Sequence, residues 1–262
     1  MPQRDLQGAR LAWTAGDAEL SRRAHDAVMP PERHQSGQGR YIKSVVYGGL
    51  DGIITTFAVV AGVAGASLSA GVVLILGFAN LLADGLSMAI GDYLSTKAEN
   101  EYNRAERRRE QWEVDHYPEG EKRELVELYM EKGMPEADAR SVVEIIARHP
   151  GVWVDIMMVE ELGIVEARES PLGNAVATFL SFGVFGFVPL VAYVLARAVP
   201  AAATHTFGLA AILTALTLFA LGALKVRITG RNWLLGGLET LLVGGVAAAA
   251  AFGVGRALAG LA

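Results

Sequence analysis

Met88, Asp92, Glu99, Glu106, Glu110 and Glu113 recur at spacings that bring them to one side of a helix. At about 100° per residue they fall within roughly 60° of one another. Asn80 and Asp84 precede them at four-residue steps, and no Pro or Gly interrupts residues 92–116. One rod would therefore carry oxygen and thioether groups out of an apolar stretch into a polar one, as a cation path with an antechamber requires. A second constellation is Met157-Met158-Val159-Glu160-Glu161, in which Met157, Met158 and Glu161 can share a helical face. Oxygen cages alone suit Ca2+ or Mg2+, whereas added sulfur shifts preference toward first-row transition ions such as Fe2+. The competing reading is a solvated acidic surface whose glutamates pair with Arg104, Arg107, Arg108 and Arg109.

Asp84 and two further carboxylates, Asp51 and Glu239, stand in apolar sequence. A charge inside a bilayer costs at least about 2.5 kcal/mol, so such groups face cavities, pair, or bind cations. Thr55 follows Asp51 by one turn, and Met88 follows Asp84 by one turn. Met88 could equally fill space against lipid, and Glu239 could pair with Lys225 or Arg231 near an interface. Cysteine is absent, which removes disulfides and thiolate metal sites. There is no phosphate-binding Gly-x-x-x-x-Gly-Lys motif, which argues against ATP-driven pumping.

These groups need elements to hold them. Hydrophobic residues make up 52% of the 262 and charged residues 19%, unevenly placed. Stretches 44–66, 70–90, 174–196 and 233–255 are long enough to cross about 30 Å of hydrocarbon, and 206–224 is about the minimum length. Frequent Gly in these spans suits close helix packing, and Pro189 is expected to kink the third. Between spans two and three lies a polar insert whose acids outnumber its bases by more than the whole chain's net charge of −5. It reads as all-helical: the rod, then helices over 122–132, 136–148 and 152–162, separated by turns at Tyr117-Pro118-Glu119-Gly120 and His149-Pro150-Gly151. Residues 1–40 have no signal-peptide core and read as a soluble arm with a short helix around 17–28, which makes span one an uncleaved anchor. Arg33, Arg40 and Lys43, the insert's basic residues, and Lys225, Arg227 and Arg231 all fall on one side of five spans. That side is cytoplasmic by the positive-inside rule, with the C-terminus opposite.

The motifs then match a known family. Tyr47-Gly48-Gly49-Leu50-Asp51-Gly52-Ile53-Ile54-Thr55-Thr56, Ser87-Met88-Ala89-Ile90-Gly91-Asp92 and Met157-Met158-Val159-Glu160-Glu161 stand in order. With them the chain, from about Tyr41 onward, resembles the vacuolar iron transporters of plants, yeast and bacterial relatives. The resemblance implies an all-α membrane protein and a homodimer with five transmembrane helices per subunit. A cytoplasmic helical metal-binding domain would be inserted between spans two and three. The implied organisation is an arm over 1–40, spans one and two over 41–92, the metal-binding domain over 93–168 and spans three to five over 169–262. It implies translocation residues at Asp51 and Met88 and cytoplasmic ligands at Glu99, Glu110, Glu113, Met157, Met158 and Glu161. Where plant members tend to carry a further glutamate this chain has Tyr102, for which Glu106 is the substitute. The forty-residue arm is too short for the ferritin-like domain of some bacterial relatives.

The expected function is a secondary transporter exporting Fe2+, with Mn2+ as a further substrate, in exchange for protons. Asp84 and Glu239 would join Asp51 and Met88 on the pathway, and Zn2+, Mn2+ or Co2+ would serve as surrogate ions. Its partners would be divalent ions, protons, lipid and a second copy, and no nucleic acid. The membrane would be that of the cell in a bacterium or of the vacuole in a eukaryote. One alternative is a membrane-bound di-iron carboxylate oxidase, an enzyme. Glu113-Val114-Asp115-His116 supplies one Glu-x-x-His, but such sites take that motif from two helices. The other alternative is a metal-gated channel or sensor.

Overall fold

A computed structural model describes residues 6–26, 41–165, 170–198, 205–229 and 232–261. The chain divides into two compact units, Met1–Ile42 and Lys43–Ala262. The first holds α1 (Leu6–Ala15) and α2 (Ala18–Asp26). Asp17 caps α2, its Oδ1 accepting from the Glu19 and Leu20 amides. The expected helix around 17–28 is thus present to Asp26, and its last two residues lie outside those described. α1 was not expected.

In the second unit, α3 (Ile42–Gly65), α4 (Ala70–His116), α8 (Pro171–Ala198), α9 (Thr206–Thr229) and α10 (Trp233–Leu258) contain the five apolar stretches. Each is long and apolar enough to cross a membrane. α3 and α4 are joined by a tight reversal. Ser67 takes a left-handed φ of 59°, and the Ser67 and Leu68 amides bond back to Ala64 and Val63, the pattern of a Schellman cap. α4 is the continuous 47-residue rod that the uninterrupted sequence requires. α8 continues as helix through Pro189.

Small residues decide how the spans meet. A Cβ on Gly48 or Gly52 would strike the Thr178 and Phe182 backbone of α8. These two positions, one turn apart, are where the helix backbones cross in contact. Gly183 and Gly245, by contrast, face open space. Phe182, Val60, Val73, Leu81 and Leu190 fill the core between α3, α4 and α8. Where the apolar part of α4 ends, Asp92 Oδ2 accepts from Ser44 Oγ of α3 at 3.0 Å and from Thr178 Oγ1 of α8 at 2.5 Å. One turn further, Asn174 Nδ2 donates to Thr96 Oγ1 at 3.1 Å. The rod is therefore tied to two neighbours at its change of character.

Beyond that joint α4 packs with α5 (Pro118–Glu131) and α7 (Pro150–Glu160), and α6 (Glu136–Ile146) packs against α5 and α7. Their shared core holds Val114, Leu125, Val143, Trp153, Val154 and both methionines of the Met-Met pair. The breaks expected at 117–120 and 149–151 are present but narrower: the chain leaves the helix at Tyr117 and at 147–149, and each Pro already occupies the first turn of the next helix. A first-turn residue needs no amide donor and Pro's φ suits it, so Pro118 and Pro150 begin their helices.

Candidate metal site

Three helices bring a carboxylate each to one point. Glu110 comes from the last two turns of α4, Glu121 from the first turn of α5 and Glu161 from the C-cap of α7. One oxygen of each lies within 4.8 Å of the others. Glu110 is 0% exposed and Glu121 5%, while Glu161 opens to solvent and leaves one side accessible. Glu110 Oε2 and Glu121 Oε2 are buried without a hydrogen-bond partner. Buried carboxylate oxygens are almost always satisfied, so two orphans in one cluster mark a place where a cation would complete the bonding.

The electrostatics agree. Burial raises the Glu110 carboxyl against the lowering effect of Arg109. Burial, then Glu124, Glu110 and Glu113, pushes Glu121 up to about 7. Burial, then Glu110 and Glu124, pushes Glu161 up to about 7. These groups repel one another and hold protons that a divalent ion would displace.

The sequence-nominated ligands divide. Glu110 and Glu161 are in the cluster, and Glu113 lies near enough for its charge to act on all three members. Glu106 and Glu113 both meet Arg109, at 2.9 and 3.5 Å. Glu99 is exposed, about 16 Å down the rod from Glu110 at 1.5 Å per residue. Met157 and Met158 are fully buried in the apolar core. Asp92 belongs to the joint with α3 and α8. Glu121 was missed, because its segment read as a turn. Pro118 followed by Glu119 and Glu121 is nevertheless a helix-start pattern, and that signal could have found it.

In the apolar helices, Asp51 of α3 and Asp84 and Met88 of α4 are all half-buried. The two aspartates are close enough for their charges to interact. Thr55 Oγ1 donates to the Asp51 carbonyl at 2.8 Å, and Asn80 Nδ2 reaches Thr55 and Thr56 Oγ1 at 3.4 Å each. Met88 packs against the core with Phe182 and Leu81. Glu239 is exposed on α10; the side chains of Lys225 and Arg231, its suggested partners, lie outside the described residues.

A sequence model of the VIT family matches residues 42–256. The chain belongs to the VIT family. It is 41% identical to a vacuolar iron transporter of Toxoplasma gondii over 97% of this chain and 89% of that protein. It is 36% identical to the vacuolar iron transporter of Plasmodium falciparum over 95% of each. Vacuolar iron transporter 1 of Arabidopsis thaliana is 32% identical over 84% of this chain and 87% of its own length. Membership and the five apolar helices together make this a multi-pass membrane protein.

For this VIT-family chain the raised carboxyls set a pH dependence. Between the ordinary glutamate value of 4.5 and about 7, folded Glu121 and Glu161 keep protons that the unfolded chain releases. Stability of the metal-free insert is therefore greatest below the ordinary value and falls as pH rises through about 7. Adding Zn2+ or Mn2+ at pH 8 should restore it, and the same addition at pH 6.5 should release protons into a weakly buffered solution. A metal-free protein whose insert gains stability from pH 5 to 8, read by amide exchange in α5 and α7, would contradict the cluster's electrostatics.

Proposed function

We propose that the chain is a secondary transporter that exports Fe2+ from the cytosol in exchange for protons, with Mn2+ as a further substrate. The observation that carries this reading is that Asp51 of α3 and Asp84 of α4 lie near enough for their charges to interact, within apolar helices of a chain whose relatives are named vacuolar iron transporters. A carboxylate in that setting is stabilised by a proton or by a cation. Competition between the two at one site couples their movements: metal released on the acidic side is replaced by protons, which return inward. Met88, one turn from Asp84, offers the thioether that favours Fe2+ over Mg2+ or Ca2+.

The insert, on the cytoplasmic side with the N-terminal arm, gathers ions at Glu110, Glu121 and Glu161, backed by Glu106 and Glu113. Glu99 lies on the approach along the rod. Met157 and Met158 are the thioethers nearest in sequence to Glu161. Relatives named as transporters, and the single Glu-x-x-His, weigh against an oxidase.

The functional unit is a homodimer. α10 is the least covered of the five apolar helices, and Glu239 stands on it exposed. A second copy against α10 would shield that carboxylate from lipid and add it to the path. Mass measurement in mild detergent should give two chains; monomer alone would contradict this.

The deciding experiment is flux into liposomes loaded with acid, with Fe2+, Mn2+, Co2+ and Zn2+ offered in turn. Saturable uptake that collapses with the pH gradient and alkalinises the lumen supports exchange. Flux indifferent to the gradient would favour a channel, and Fe2+-dependent oxygen consumption an oxidase.

A further inference from the structure

Arg109 meets three acids through three different nitrogens. Its Nη1 lies 2.9 Å from Glu106 Oε2, its Nη2 3.1 Å from Glu110 Oε1 and its Nε 3.5 Å from Glu113 Oε2. The planar fork of Arg suits such multiple carboxylate pairing. Glu110 is thereby divided: Oε1 faces the guanidinium and Oε2 is buried without a partner, while the residue joins Glu121 and Glu161 in the cluster through one carboxylate oxygen. Arg109 itself is 49% exposed, so its head can swing into water without dragging the helix. Arg107, two residues earlier, is engaged across to α7 through Asp155 at 2.5 Å.

We propose that Arg109 is a tethered counter-cation, occupying by charge the place that the metal takes and competing with it for Glu106, Glu110 and Glu113. This rests on the metal-site reading of the insert. Without an ion, one positive charge quiets three acids that would otherwise repel one another along 106–113. A divalent ion entering beside Glu110 Oε2 draws that carboxylate's charge, weakens its hold on the guanidinium and releases Arg109 outward. A monovalent ion brings no more charge than the guanidinium it would displace, so only a cation of higher charge gains from that exchange. Arg109 therefore lowers affinity, so that ions leave again, and discriminates against monovalent cations.

The test is calorimetry on the full-length protein in detergent, with Zn2+ and Mn2+ as probes. Arg109→Gln should bind about tenfold tighter, the effect of removing pairings worth together about 1.4 kcal/mol. Arg109→Lys keeps the charge but cannot fork to three carboxylates, so it should tighten binding about twofold. It decides the matter if the Gln variant does not fold. Glu121→Gln is the control for the site. If the wild type binds and Glu121→Gln loses binding, yet both Arg109 variants bind as the wild type or more weakly, the counter-cation role is wrong. If Glu121→Gln leaves binding unchanged, the site reading fails and the Arg109 inference falls with it.

Discussion

Glu110→Gln combined with Glu121→Gln should weaken divalent-ion binding by the insert about 100-fold or more, since even outer partners of metal ligands are worth 10–100-fold. Both residues are buried, both carry an oxygen without a partner, and both come from helices whose packing the apolar core already fixes. Gln keeps the shape and removes the charge. At pH 8 it also removes like-charge repulsion between buried groups, so the metal-free double variant should be no less stable than the wild type. Loss of binding with retained stability identifies ligands. Unchanged binding, or a metal-free protein that melts earlier, would make Glu110 and Glu121 structural instead. Calorimetry with Zn2+ and a thermal melt at pH 8 read the two quantities separately.

That pair also shows where the sequence is legible. The rod was visible because no Pro or Gly breaks 92–116, and its register placed Glu106, Glu110 and Glu113 on one side. The five apolar helices were visible from length and composition. Glu121 was not, because Pro-Glu-Gly-Glu reads as a turn until the following helix is seen to begin at its Pro. Burial was not legible either. Glu99 and Glu110 are the same residue type on the same face, yet only Glu110 is covered, by α5 and α7 arriving from elsewhere in the chain. Arg109 illustrates the limit in another way. The sequence weighed arginine pairing against metal binding, and the structure places a guanidinium and an orphaned oxygen on the same carboxylate.

Met157 and Met158 need a different kind of variant. Each is buried in the insert core, where truncation to Ala costs about 2–5 kcal/mol from the cavity alone. A loss of binding in such a variant confounds packing with ligation. Leu conserves volume at a cost usually under about 1.5 kcal/mol while deleting sulfur, so the Leu variants isolate what the thioether contributes.

Asp51→Ala should abolish Fe2+ uptake into acid-loaded liposomes while leaving ion binding by the insert at its wild-type level. Asp51 lies on α3 beside the contact of Gly48 and Gly52 with α8, which holds the helix in place independently of its carboxyl. Its neighbour Asp84 offers a second carboxyl nearby, and Thr55, Thr56 and Asn80 form a hydrogen-bonded polar group one turn along the two helices. On the proposed pathway, loss of Asp51 would leave hydroxyls and an amide but remove a group able to exchange a proton for a cation. Asp51→Asn separates the two roles further: it keeps an oxygen donor but cannot carry the proton, so residual flux should no longer follow the pH gradient. Met88→Ala should weaken Fe2+ transport more than Mn2+ transport, because a thioether favours the softer ion. Wild-type rates with normal pH dependence in Asp51→Ala would overturn the coupling mechanism, and equal losses for both ions in Met88→Ala would remove Met88 as the selective ligand.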